Sequence, residues 1–431
     1  MKKGVFNNIL EGHLEKCIVS PQYQYDTVLT IRGVHQHVFG TKAFSKEADY
    51  DGSMFEITKM MLLIPSSVAV YAMRMGYEDM TVSVTKRVNG KIISTKTYVA
   101  KATNTEDVDM AATTREMINS ERMDNETIAV VVVELLDRLA WSLRKRAVGG
   151  PFHETTPLDL ARYILGSNQL KDSLSSNDFA YSINYVDKQP KKYRTILIEE
   201  GKPFLDVFDF LQNNYGIYGR GLGIFLYKQS WELFEPYNPT RFDEGGERLV
   251  IYNVPADDIA FPDRNFYREG DVYYIAATGE SKVKSTIDEA AINEGTGIRF
   301  ADIRSLENRN LGSGNQLDPR AYLTEVNTNP RDNVTNAPML KERYTDNPLK
   351  ASSELYRKRG VIVTLLWENG LYDALKPGMG LELVYPHVDG IKRVKGTLLA
   401  SSEYSEVEGG GIMETQHRNT ITLTIMVFPY G

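Results

Sequence analysis

Apolar and polar positions alternate most regularly between Gly360 and Val427. Val361-Ile362-Val363-Thr364-Leu365-Leu366-Trp367 is short and β-branched, which favours a buried strand over a helix. Pro377-Gly378 then launches Met379, Leu381, Leu383 and Tyr385 at period two, and Leu398, Ala400 and Tyr404 continue in a third segment. In the last segment, Ile421, Leu423, Ile425 and Val427 share one face and Thr420, Thr422 and Thr424 the other. The pattern predicts a half-buried antiparallel sheet, a small barrel or rolled sheet. Glu406–Thr415 is a Gly-rich connection too long for a tight hairpin. No acid, base or nucleophile set is apparent in these strands.

Upstream, the pattern predicts strands and turns up to about residue 105. Val28–Arg32 is one strand. Met80–Val88 alternates, Asn89-Gly90 suits a type I′ turn, and Ile92–Ala100 returns. Thr103–Asn125 is a long loop or short exposed helix, and Thr127–Leu136 a buried strand running into a helix over Asp137–Lys145. Gly149-Gly150-Pro151 marks a break. Thr156-Pro157 opens a helix whose apolar face is Leu158, Ala161, Ile164 and Leu165, with Gly166 stopping it. Residues 167–192 are polar apart from a strand at Phe179–Val186. Pro203 starts a helix with Phe204, Val207, Phe208 and Leu211 at i, i+3, i+4 and i+7. Gly219–Gly223 turns the chain into a strand at Ile224–Tyr227. Leu249–Asn253 and Asp271–Ala277 read as strands, and Ser285 as the cap of a short helix. Asn308–Asn347 is a surface excursion or linker, apart from Ala321–Val326. Asn347-Pro348 caps a helix through Arg359, with Leu349, Ser352 and Tyr356 on one face. No solenoid repeat is present. The fold class expected is α+β and β-rich. Residues 1–150 form an N-terminal barrel-like domain and 151–345 a central α+β region; 346–431 form a C-terminal helix with an antiparallel barrel.

Composition narrows the function. The net charge is −7 with pI ≈ 5.6, which disfavours broad attraction to nucleic acid or anionic membrane. Arg144-Lys145-Arg146 and Arg357-Lys358-Arg359 each end a predicted helix, where cations complement the dipole. Cys17 is the single cysteine, so no intramolecular disulfide forms. Met1-Lys2-Lys3 is not followed by an apolar run, so no secretory signal is expected. Met60–Met73 is broken by Pro65 and too short to cross a bilayer.

Candidate chemistry is thin. His35 and His37 lie on one side of a strand, but no cysteine or carboxylate at ligand spacing completes a metal set. Gly219–Gly223 carries a Gly-x-Gly-x-Gly pattern in the order helix, loop, strand; a phosphate loop needs strand, loop, helix. Asp206/Asp209 and Glu199/Glu200 have no spacing that makes a glycosidase pair, and the first two sit where a helix start stabilises negative charge. No catalytic, cofactor-binding or metal residue is assigned, and no cofactor is expected. Twenty-five tyrosines suit protein–protein interfaces.

The ordered C-terminal set, Leu375–Tyr385 (LKPGMGLELVY), Lys395–Ser405 (KGTLLASSEYS) and Arg418–Val427 (RNTITLTIMV), resembles the C-terminal part of bacteriophage tail baseplate hub proteins. Arg144–Leu165 is similar to the helix joining that family's first and second domains, and Gly201–Lys228 to its helix, Gly-rich turn and strand. The resemblance implies a structural virion protein and no enzyme. It implies a homotrimer in which two tube-type β-barrels per subunit make a pseudo-sixfold ring, adapting tail tube to central spike. The implied partners are tail tube or tube-initiator protein, spike, wedge proteins and tape measure. The implied location is the tail baseplate after synthesis in the host cytoplasm, with no nucleic-acid specificity or membrane insertion. Two alternatives stay open: a wedge or tube-capping component, and a cell-envelope-degrading or carbohydrate-binding protein.

Overall fold

Alternation along the strands becomes pairing that closes on itself twice. The computed structural model describes residues 3–18, 22–103, 122–123, 126–166, 182–186, 191–228, 230–254, 265–279, 284–285, 299–302, 322–326, 348–407 and 417–429. The first ring uses β1 (Tyr23–Ile31), β2 (Gly40–Asp49), β3 (Ile57–Pro65), β4 (Met80–Val88), β5 (Lys91–Thr103) and β6 (Glu126–Leu136). The middle of the chain adds β7 (Ala147–Thr155), β8 (Tyr193–Pro203), β9 (Gly223–Tyr227) and β10 (Ser230–Phe234). The later part of the chain adds β11 (Arg248–Val254), β12 (Phe266–Glu269), β13 (Val272–Thr278), β14 (Val361–Glu368), β15 (Gly380–His387), β16 (Gly390–Val407) and β17 (His417–Val427), beside short strands of two to five residues.

Pairing runs β1-β4-β5-β6-β3-β2-β16-β17 and returns to β1 through Tyr23 opposite His417. A second circuit runs β11-β13-β14-β17-β16-β15 and back to β11, closed by Thr278 opposite Leu366. β16 and β17 belong to both. Residues 390–397 of β16 pair with β15, residues 400–406 pair with β2, and the register shifts between Leu398 and Ala400. A bulge of this kind bends a strand and re-aims it. The C-terminal strands therefore do not close among themselves; they join residues 23–136 to residues 248–278.

The expected hairpin is present: Asn89 and Gly90 take φ 50 and 77, the positive values that a type I′ turn demands. Helix α1 (Lys3–Lys16) lies in a region where the pattern predicts only strands and turns. Its apolar stripe is thin, and Ile9, Leu10 and Leu14 pack on Val250, Tyr252, Ala276 and Val384, the outer side of the second ring. Helix α2 (Ser66–Ala72) follows β3 directly, and its Ala69 and Ala72 enter the first-ring core. Helix α3 (Arg138–Arg144) starts on Asp137, whose carboxylate accepts the Leu139 amide at 2.8 Å. The break at Gly149-Gly150-Pro151 is instead part of β7, paired with β8. Gly149 passes so close to Glu200 that a Cβ would lie 2.7 Å from its Cα, so the glycine serves close strand approach rather than termination.

Helix α4 (Pro157–Gly166) is capped as expected, with Thr156 Oγ1 accepting the Asp159 amide at 3.0 Å. A 3-10 turn at Phe204–Asp206 leads into α5 (Val207–Asn214). Phe204, Val207, Phe208 and Leu211 join Leu158, Ala161 and Ile164 of α4 and Trp231 of β10 in one apolar cluster. Helix α6 (Pro348–Arg359) also lies as expected. Ser285 is in a two-residue strand against Val361 rather than at a helix start. The expectations for most of 103–125, for 167–181 and 408–415, and for most of 308–347 lie outside the described residues. Among the described residues, no helix is long and apolar enough to cross a membrane.

Candidate functional site

The inward phase of the first ring changes character along its length. On β4 it reads Met80, Val82, Val84 and then Lys86; on β2 it reads Phe44, Lys46 and Ala48. Glu403 of β16 lies between Ser401 and Ser405 on the same phase, and all three are buried. The end beside α2 is apolar, whereas the opposite end gathers lysines, carboxylates and tyrosine rings.

Lys86 Nζ lies 3.0 Å from Asp373 Oδ2 and 3.6 Å from Glu403 Oε1, and 4.7 Å from the Tyr23 ring centroid. The Lys86 and Glu403 side chains are 5% and 0% exposed. Asp373 comes from a 3-10 turn at Tyr372–Ala374, between β14 and β15. Asn419 Nδ2 donates to Glu403 Oε1 at 3.1 Å and to the Gly370 carbonyl at 3.0 Å, while Tyr23 donates to the same carbonyl at 2.8 Å. Glu403 Oε2 is buried without a hydrogen-bond partner among the described residues. Lys46 Nζ stands 3.5 Å from Glu56, and Lys96 3.0 Å from Asp137. Lys46, Glu56, Lys86, Lys96, Asp137 and Asp373 border a cavity of about 590 Å³ that also meets Tyr50, Phe225, Tyr227 and Lys228, a volume within the ordinary range for small-ligand sites.

The electrostatics divide the two carboxyls around Lys86. Burial pushes Glu403 above its ordinary value, and the Lys86 and Lys46 ammoniums only partly offset it. Burial also acts upward on Asp373, but the same two ammoniums outweigh it and its carboxyl titrates low. For Lys46, burial acts downward and is outweighed by Glu56 and neighbouring tyrosine and carboxylate charges, so its ammonium is held. Burial pushes the Tyr23 and Tyr25 hydroxyls well up, with the Glu403 charge adding.

None of these residues stands out by motif. The signal available is a charged residue in the apolar phase of an alternating strand, as at Lys86; Glu403 is hidden between serines. The residues singled out by motif are dispersed to local partners. His35 Nδ1 is 2.9 Å from Thr30 Oγ1, and the His37 ring meets Phe39 edge-on at 4.5 Å. Among the described residues, no group of three or more His, Cys, Asp or Glu could hold a metal. Asp206 and Asp209 sit at the start of α5, where burial, then Asp206, raises Asp209. Glu199 and Glu200 are exposed on β8. Lys145 caps α3 and pairs with Glu78, and the Arg357 guanidinium lies 6.0 Å from the Tyr237 ring. Gly221 and Gly223 back directly onto Tyr237 and Phe234, so packing explains those glycines.

No protein-family model and no curated protein matches the chain. Solved structures to which the chain is similar include a tail protein from Neisseria meningitidis MC58, at 11% identity and TM-score 0.43, covering 94% of this chain and 98% of that one. A 43 kDa tail protein of prophage MuSo2 from Shewanella oneidensis is similar at 10% identity and TM-score 0.49, covering 94% and 98%. An E. coli component of the type VI secretion system, itself described as similar to T4 bacteriophage tail proteins, matches at 12% identity and TM-score 0.45, covering 94% and 78%.

Proposed function

We propose that the chain is a structural subunit of a phage-type tail baseplate, a hub that joins tail tube to central spike. The observation that carries this reading is the double closure of strand pairing, with β16 and β17 common to both circuits. We read the circuits as two tube-type β-barrels fused along shared strands. Three such subunits present six barrels, a pseudo-sixfold ring able to meet a sixfold tube on one side and a threefold spike on the other. Closed cyclic assembly is also the form that symmetry favours for soluble homo-oligomers. Outward-facing Val28 on β1 and Ile92 and Ile93 beside the Asn89-Gly90 turn are 45%, 59% and 55% exposed, and a neighbouring subunit would cover them. The role is architectural rather than enzymatic, in the virion tail, with spike, tube, wedge and tape-measure proteins as partners.

Light scattering across a concentration series tests it. Three copies of the 48.7 kDa chain give about 146 kDa. A species of that mass that images as a ring, and that co-purifies with tube and spike proteins, supports the hub. A chain that stays monomeric at every concentration and in the presence of those proteins sinks it. Capture by wedge proteins alone would move the assignment to a wedge component.

A further inference from the structure

The first ring brings together an amine, a carboxyl in contact with it, and a second carboxyl within reach of the same nitrogen. We propose that Lys86 and Asp373 form a modification site: the two side chains condense to an amide cross-link within the chain, with Glu403 as the proton relay. Lys86 Nζ is 3.0 Å from Asp373 Oδ2 and 3.6 Å from Glu403 Oε1.

Atoms and charge balance within the site. The starting pair is –NH3⁺ and –COO⁻; the products are –NH–CO– and water. One proton passes from Nζ to the Asp373 carboxylate, giving the neutral amine and acid. The amine lone pair attacks Cγ, forming the C–N bond. Glu403 takes a second proton from nitrogen and returns it to the departing oxygen as the C–O bond breaks. Water leaves, Glu403 ends as it began, and no oxidant, metal or co-reactant is consumed.

Three observations separate this arrangement from a plain buried ion pair. Glu403 Oε1 is fixed by Asn419 at 3.1 Å, while its fully buried Oε2 has no partner among the described residues, leaving one oxygen to carry a proton. Burial pushes the same carboxyl up, which suits a relay that holds and returns protons. Asp373 is 39% exposed at its side chain and borders the cavity, so the released water has an exit. Condensation in bulk water is opposed by the hydration of both ions. Here contact is enforced by the fold, and a neutral amide relieves the penalty of keeping an ammonium in the apolar phase of β4. The bond would join residues separated by 287 positions, tying the first ring to the turn between β14 and β15 of the second.

Mass spectrometry of the denatured full chain is the direct test. The expected mass, allowing for the initiator methionine, is one water below that of the sequence. Tryptic digestion should give one branched peptide with no cleavage after Lys86. Asp373→Ala, a change on a partly exposed turn, and Lys86→Arg should each return to the full sequence mass; Glu403→Gln should stay at full mass or lose water much more slowly. A wild-type chain at full mass, both fresh and after long incubation, overturns the proposal. A water deficit that persists in Lys86→Arg overturns it equally, because it would then come from cyclisation at Asp51-Gly52 or Asp389-Gly390. The outcome does not depend on assembly state, so it stands or falls separately from the hub reading.

Discussion

The two rings share β16 and β17 and both bury an apolar cluster, but the first adds a charged end to it. In the second ring, Leu249, Ile251, Ile275, Leu365, Trp367, Leu381 and Leu383 meet Ile421, Leu423 and Ile425 of β17 in one apolar cluster. Its buried indole is satisfied locally, Trp367 Nε1 donating to Asn265 Oδ1 at 3.0 Å. In the first ring, the same strands contribute Ser401, Glu403 and Ser405 of β16 and His417 and Asn419 of β17, all buried. The change falls at the register shift between Leu398 and Ala400. One pair of strands thus serves an interior stabilised by apolar area and another in which one end is organised by charge. Apolar burial contributes in proportion to area, whereas buried ion pairs recover about what their desolvation costs and mainly fix geometry.

The largest test of that contrast is Trp367→Ala. The side chain is 0% exposed and packs edge-on against Phe266, so its loss should cost about 3–5 kcal/mol in chemical denaturation, with no pH or salt dependence. A loss below about 1 kcal/mol would mean that the second ring is not close-packed. Lys46→Met comes next, at about 3 kcal/mol, because Glu56 at 3.5 Å keeps its charge without its partner. The informative step is the double change Lys46→Met with Glu56→Leu. If charge rather than volume governs the first ring, removing the second partner recovers most of the loss. A double variant as unstable as the sum of the singles would show that the first ring behaves like the second.

These tests also mark where the sequence was legible. Period-two alternation located the C-terminal strands, Asn89-Gly90 the hairpin, and Thr156-Pro157 and Gly166 the ends of α4, because each of those signals is local. Helix α1 was missed because a stripe of Ile9, Leu10 and Leu14 becomes apolar enough only when its landing surface is known. β7 was read as a break, since Gly149 and Pro151 punctuate most chains and only the approach of Glu200 explains them here. Ring closure rests on Tyr23 opposite His417 and Thr278 opposite Leu366, contacts that no periodicity encodes. The ionic cluster was hidden for the same reason, as Lys86 finds its carboxylates on the far side of the chain.

A third test uses pH, because the rings respond with opposite sign. His13, on α1 against the second ring, is lowered to about 4 by burial and by Lys16, partly offset by the Asn265 backbone. It sits against the rings of Tyr252 and Tyr267 and beside Cys17. A depressed folded pKa contributes stability that is full above pH 6.5 and is lost as the pH falls towards 4. Release of α1 alone limits the loss, since local opening can expose His13 without global unfolding. His13→Phe should flatten that acid limb. Glu403 is raised instead, so its folded form binds the proton more tightly, and stability falls as the pH rises from 4.5 through its folded value; Glu403→Gln should flatten that side. Denaturation midpoints across pH that are identical in wild type and both variants would refute the assignment.

The smallest expected effect lies outside both interiors. Asn89 holds φ at 50 and its side-chain oxygen accepts the Gln22 amide at 2.9 Å. Asn89→Ala keeps neither the ease of positive φ nor the acceptor and should cost about 1–2 kcal/mol. Asn89→Gly keeps the backbone freedom and loses only the acceptor, so it should cost about half as much. Because the turn touches neither the apolar cluster nor the charge network, both losses should be independent of pH and additive with Trp367→Ala and Lys46→Met. Non-additivity with Lys46→Met but not with Trp367→Ala would mean that the hairpin transmits to the first ring through β4 and β5, and that the charged interior is coupled to its rim in a way the apolar one is not.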